Sequence, residues 1–125
     1  MVQLIAGNKG KGKTKYLLDK VNAEVKQMFE LNNKVRLINV SDYFITSSDE
    51  FLGFICGIIS QDHDLQQMYF DSFLKIACLE GKDISQTVTK LEKIGEAFGV
   101  DFIVSISLDE DELPADMKSK VTISL

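Results

Sequence analysis

The chain has 125 residues, enough for one hydrophobic core and not for two, so a single domain over 1–125 is expected. With 45% hydrophobic and 26% charged residues it is neither a disordered nor a fibrous sequence. A formal net charge of −5 argues against nucleic acid or anionic lipid as a general partner.

The stretch Met1–Ala6 is too short for the apolar part of a secretory signal and runs straight into Gly7. The longest apolar run, Phe51 to Ile59, is interrupted by Gly53 and Gly57 and is far shorter than a membrane span. Cys56 and Cys78 match no metal spacing and read as buried free thiols, in keeping with a reducing compartment. The expectation is a cytoplasmic protein with no membrane span.

In chain order, Val2–Ala6 reads as a strand buried on both faces. A glycine-rich turn leads into a helix from about Lys13 to Glu30, with Leu17, Val21, Val25 and Met28 on one face. Lys34–Val40 is the second strand. Ser47 with Glu50 three residues on has the form of a capping box for a second helix, which carries Phe51, Leu52, Ile55 and Ile59 on one side. Phe44, Phe51 and Phe54 read as core, with an exposed docking patch as the alternative. His63 falls in a polar break and reads as surface.

Gln67–Asp71 is the third strand, an apolar run ending in an acid. Ser72–Glu80 reads as a short helix. Asp83 with Gln86 again resembles a capping box, ahead of a stripe of Ile84, Val88, Leu91, Ile94 and Phe98 that Gly99 would end. Phe102–Leu108 is the fourth strand, Asp109–Glu112 a solvated acidic turn, and Val121–Leu125 the fifth strand. Strands alternating with helices call for an α/β fold, a mostly parallel sheet covered by helices on both faces.

The segment Gly7-Asn8-Lys9-Gly10-Lys11-Gly12-Lys13-Thr14 matches the phosphate-binding pattern G-x-x-x-x-G-K-[ST] at every fixed position. Gly7, Gly10 and Gly12 let the backbone curl so that several N–H groups point inward and form an anion nest. The helix that starts near Lys13 adds its positive end at the same place. Lys13 would meet the β- and γ-phosphates of a nucleoside triphosphate, and the Thr14 hydroxyl is a hard oxygen ligand for Mg²⁺. Asp71, at the end of an apolar strand, has the Walker B arrangement and would hold the same Mg²⁺ through water. MgATP is the expected ligand.

Lys13, Thr14, Asp71 and the polar-ended strand Val104-Ser105-Ile106-Ser107 resemble the additional-strand, RecA-like branch of P-loop NTPases. That resemblance implies a three-layer P-loop core with five strands in the order 5-1-4-3-2, and a polar sensor, Ser107, at the tip of the fourth strand. The chain is also similar to short bacterial P-loop proteins labelled as twitching-motility (PilT) proteins. Leu4-Ile5-Ala6-Gly7 running into Gly12-Lys13-Thr14-Lys15, Phe70-Asp71-Ser72-Phe73-Leu74-Lys75 and Phe102–Ser107 carry that similarity.

Many enzymes of the additional-strand group place a glutamate directly after the Walker B aspartate; here Ser72 stands there. Asp42, just past the second strand, is the best substitute for orienting a water, and Glu80 a weaker one. The single arginine, Arg36, lies early in the second strand, away from the phosphate end, so an arginine finger would come from a protein partner or a second copy. Slow or partner-stimulated ATPase activity is therefore the leading expectation. A non-hydrolysing ATP-dependent switch is the second, and a small phosphotransferase the third. No Asn-Lys-x-Asp sequence follows a strand, which argues against a GTPase.

Overall fold

The computed structural model describes residues 1–27, 35–37 and 43–125, with side chains described outside 24–27 and 35–37. It is an α/β domain. Strand β1 (Val2–Ala6) leads to helix α1 (Lys13–Gln27), and β2 (Val35–Leu37) comes before α2 (Ser48–Gln61). Then follow β3 (Gln67–Phe70), α3 (Phe73–Ile76), α4 (Ser85–Phe98) and β4 (Asp101–Ile106). A 3₁₀ turn (Glu110–Glu112), α5 (Ala115–Lys118) and β5 (Val121–Ser124) complete the chain.

The sheet runs β2-β3-β4-β1-β5, which from its other edge reads 5-1-4-3-2. Every pairing is parallel. β1 lies between β4 and β5, with Leu4 opposite Val104 and, on its other side, Val121. The chain leaves β1 toward β2 on one side and ends in β5 on the other. In open α/β sheets such a reversal opens a crevice at the carboxyl ends of the strands.

Alternation along the strands explains the layers. Leu4, Ala6, Met68, Phe70, Phe102, Val104 and Ile106 face a core shared with Phe51 and Ile55 of α2, Phe73 of α3, Val88 and Leu91 of α4, and Met117 of α5. Phe51 packs edge-on against Phe70 and Phe73. Ile5, Tyr69 and Ile103 face the other way and meet Leu17, Tyr16 and Val21 of α1. Among the described residues, no helix is long and apolar enough to cross a membrane.

The start of α2 is as expected: Ser47 is its N-cap, and the Ser47 side chain accepts from the Glu50 N–H at 3.1 Å. The Glu50 carboxylate reaches back one residue further than a simple box, accepting from the Thr46 N–H at 3.0 Å. Bonds from Thr46 hold its pKa below the ordinary glutamate value. Phe51, Leu52, Ile55 and Ile59 are the buried face, and His63 is exposed.

Several expectations are corrected. The helix expected over Ser72–Glu80 is one turn, Phe73–Ile76, because Ser72 before it and Cys78 after it both have left-handed backbone (φ 57° and 59°). Asp83 forms no capping box with Gln86. Its carboxylate accepts from the Ser85 N–H at 2.9 Å and α4 starts two residues later, so Asp83 acts as a local turn acceptor. Phe98 is exposed, since α4 ends beside it at Gly99, left-handed as expected; Gly95 and Thr87 are buried on the helix instead.

Cys56 is exposed, at the flank of the buried face of α2, and Cys78 is half-buried. Phe44 is almost fully exposed rather than core, while Phe51 is buried. Helix α5, after Pro114, has no counterpart in the sequence reading. The ends of the expected first helix and second strand fall outside the described residues.

Candidate functional site

The carboxyl ends of β1, β3 and β4 lie side by side because these strands are parallel and in register. β1 ends at Ala6, and the turn that follows delivers α1. Gly10 and Gly12 have φ of 89° and 87°, where an L side chain is strained and glycine is not. The turn is tied down at its start, the Gly7 N–H donating to the Leu108 carbonyl at 2.8 Å. β3 hands off Asp71 one residue after Phe70. Phe70 pairs with Val104, so the next step along both strands puts Asp71 beside Ser105.

These elements enclose a cavity of about 240 Å³. The glycine-rich turn contributes Lys9, Gly10 and Gly12, and α1 contributes Lys13 and Thr14. The strand ends contribute Asp71, Ser72, Ser105 and Ser107. Among the described residues Asp71 is the only carboxylate on its wall.

Both oxygens of Asp71 are engaged. Thr14 Oγ1 donates to Oδ2 at 2.8 Å, and Ser105 Oγ donates to Oδ1 at 2.6 Å. Ser105 is fully buried and in turn accepts from the Ser72 N–H at 2.8 Å. The carboxylate is thus held between the first turn of α1 and β4.

Lys13 is 7% exposed, yet its ammonium donates to a neutral group, the Asn8 carbonyl, at 3.0 Å. Among the described residues no carboxylate pairs with it. The same carbonyl accepts from the Lys11 N–H at 3.3 Å, and the Asn8 side chain donates to Asp109 Oδ2 at 2.8 Å. The first turn of α1 contains no acid. It holds Lys13 and Lys15 instead, against the usual preference of a helix amino terminus for negative charge. Lys15 has its own partner, Asp19, at 3.0 Å. An anion entering the cavity would meet the free N–H groups of the helix start and a buried ammonium with nothing charged to answer it.

Of the residues singled out in the sequence, the structure brings Lys9, Gly10, Gly12, Lys13, Thr14, Asp71 and Ser107 onto one cavity wall. Gly7, Asn8 and Lys11 belong to the same turn but do not line the cavity. Asp42 lies outside the described residues. Glu80 is exposed and does not line the cavity. Ser105 was passed over as a functional residue, although it touches Asp71 and Ser107 carries no such bond. The signal was available: aligning the ends of the two apolar strands sets the acid of one against the inner serine of the other.

A scan against protein-family models finds no match to the chain, and a search of curated proteins finds none either.

Proposed function

We propose that this chain binds a nucleoside triphosphate as its Mg²⁺ complex, with MgATP the expected ligand, and hydrolyses it slowly or on contact with a partner. The observation that carries this is Lys13: a largely buried lysine at the amino end of a helix, its ammonium held only by a neutral carbonyl and facing the cavity. A buried cation without an anion is costly unless a ligand completes it. In this reading the sheet is a minimal P-loop core, with Gly7–Thr14 as the phosphate cradle and β1 at its centre.

The donor set fits magnesium. Thr14 Oγ1 and Asp71 Oδ2 face each other at 2.8 Å and are both hard oxygen donors, Thr14 as a direct ligand and Asp71 through water. Thr14 and Asp71 would hold the ion, which otherwise keeps water and phosphate oxygens as ligands. When bound it supplies charge neutralisation at the phosphates. Lys13 and the turn N–H groups bind and orient the triphosphate, while Ser105 keeps the Asp71 carboxylate aimed.

Hydrolysis also needs a group that orients water. Asp71, the one described carboxylate on the wall, is already bonded through both oxygens. That favours slow turnover, with a protein partner or second copy supplying what is missing. The same observation favours a second reading, a non-hydrolysing ATP switch.

Calorimetric titration with ATP, with and without Mg²⁺, tests the proposal. Charge-assisted bonds of about 1.5–3 kcal/mol to two phosphates imply a loss of roughly 100-fold or more in Lys13→Ala. Equal affinity in the variant and the parent protein would sink the nucleotide reading. Turnover by the isolated chain near about 1 s⁻¹ would exclude the switch, and binding without measurable turnover would favour it.

A further inference from the structure

We propose that the Lys9 ammonium contacts the terminal phosphate, so that the chain distinguishes a nucleoside triphosphate from a diphosphate. This rests on the nucleotide reading above. Among the described residues the cavity wall carries two cations, Lys9 and Lys13, and they are held differently. Lys13 is buried and fixed on Asn8. Lys9 is exposed, and its ammonium makes no hydrogen bond or ion pair with any described residue. Its backbone is not loose, however. Asn8, directly before it, is fixed through its carbonyl to Lys11 and Lys13 and through its side chain to Asp109.

That arrangement settles where the neighbouring acid goes. Asp109 accepts from the Asn8 amide at 2.8 Å and forms no ion pair with Lys9. Lys9 therefore stands on the cavity wall as an uncompensated charge on an anchored stem. A further cation at the terminal phosphate, beyond the cradle lysine, speeds triphosphate transfer chemistry. The chain has one arginine, Arg36 in β2, and no arginine lines the described wall. Lys9 supplies that cation from within the chain. A lysine acts on phosphate as a point charge, which suits a contact that reads the presence of charge rather than a fixed planar geometry. A diphosphate ends at the cradle and leaves Lys9 in solvent.

The test measures dissociation constants of the full chain with Mg²⁺, for ADP and for a non-hydrolysable ATP analogue at fixed ionic strength. Lys9→Gln keeps much of the length and removes the charge. It is expected to weaken the ATP analogue by about ten-fold, the size of one charge-assisted bond, and to leave ADP within about two-fold. Lys9→Arg is expected to restore most of the preference. Lys93→Gln, exposed on α4 and away from both the turn and the cavity wall, is expected to match the parent protein. Unfolding midpoints report whether each variant is folded.

An equal loss for both nucleotides in Lys9→Gln, or no loss for either, overturns the assignment while the cradle reading stands. If the parent protein binds neither nucleotide, both readings fall together.

Discussion

At the amino end of β1, the Glu92 carboxylate of α4 accepts from Lys120 at 2.9 Å and from the Val2 N–H at 3.0 Å, with the terminal ammonium 4.0 Å away. At the carboxyl end of the same strand, the Lys13 ammonium rests on a carbonyl and the Asp71 carboxylate on two hydroxyls. Each end holds a largely buried charge. At the first, opposite charges meet it and α4, β1 and the start of β5 are joined. At the second, neutral groups stand in for charged partners on both ions, even though Lys13 and Asp71 line one cavity. A charge that serves only the fold is answered by the fold. A charge answered by replaceable neutral groups is what the proposed exchangeable ligand would require.

The largest effect on that comparison is expected from Ser105→Ala. The hydroxyl serves the cavity end from both sides, donating to Asp71 and accepting from the Ser72 N–H. Its removal leaves two groups short of a partner at a fully buried position, a loss of about 2 kcal/mol. Urea unfolding checks this. A loss under about 0.5 kcal/mol would mean that water replaces the hydroxyl and that the carboxylate is not held in place by the fold.

Glu92→Gln is expected to be smaller, about 1 kcal/mol at neutral pH, because the amide still accepts from Lys120 and Val2. Burial raises the Glu92 pKa, but the Lys120 hydrogen bond, the Val2 N–H, and the charges of Lys120 and the amino terminus together hold it below the ordinary value. A lowered folded-state pKa contributes stability that is present above the unfolded-state value and is lost as pH falls through the folded one. The gap between parent and variant should therefore close in acid. Urea midpoints across that range would refute the ion-pair account if the gap were independent of pH. ATP titration should be untouched, since Glu92 is at the other end of β1.

What was legible in the sequence was what is local. The glycine-rich turn between β1 and α1, the N-cap Ser47 and the left-handed Gly99 each depend on residues a few positions apart, and each lies where the sequence put it. The apolar strand runs and the faces of α2 and α4 fixed the layers by period alone, though period could not tell that α4 stops in time to leave Phe98 in solvent. The bond between Ser105 and Asp71 spans 34 residues and depends on the register of two non-consecutive strands, which no short window contains. Helix α5 was missed because four residues give no periodicity to read. The shortened α3 was missed because its limits come from two left-handed residues that are not glycine.

That last feature gives the smallest effect. Ser72 adopts φ 57°, ψ 53° immediately after Asp71, and its side chain makes no capping bond to α3. A left-handed residue with a Cβ is strained by about 1–2 kcal/mol, which glycine avoids. Glycine also gives the unfolded chain more freedom, which offsets about 0.5–1 kcal/mol of that gain. Ser72→Gly should therefore raise stability by about 0.5 kcal/mol, and Ser72→Ala, which keeps the Cβ, should leave it nearly unchanged. The N–H that donates to Ser105 survives in both. Since both variants keep that bond, a difference between them in urea reports the backbone alone. If glycine is no better than alanine, Ser72 is not held under strain, and the carboxylate is positioned by its hydrogen bonds without help from the main chain.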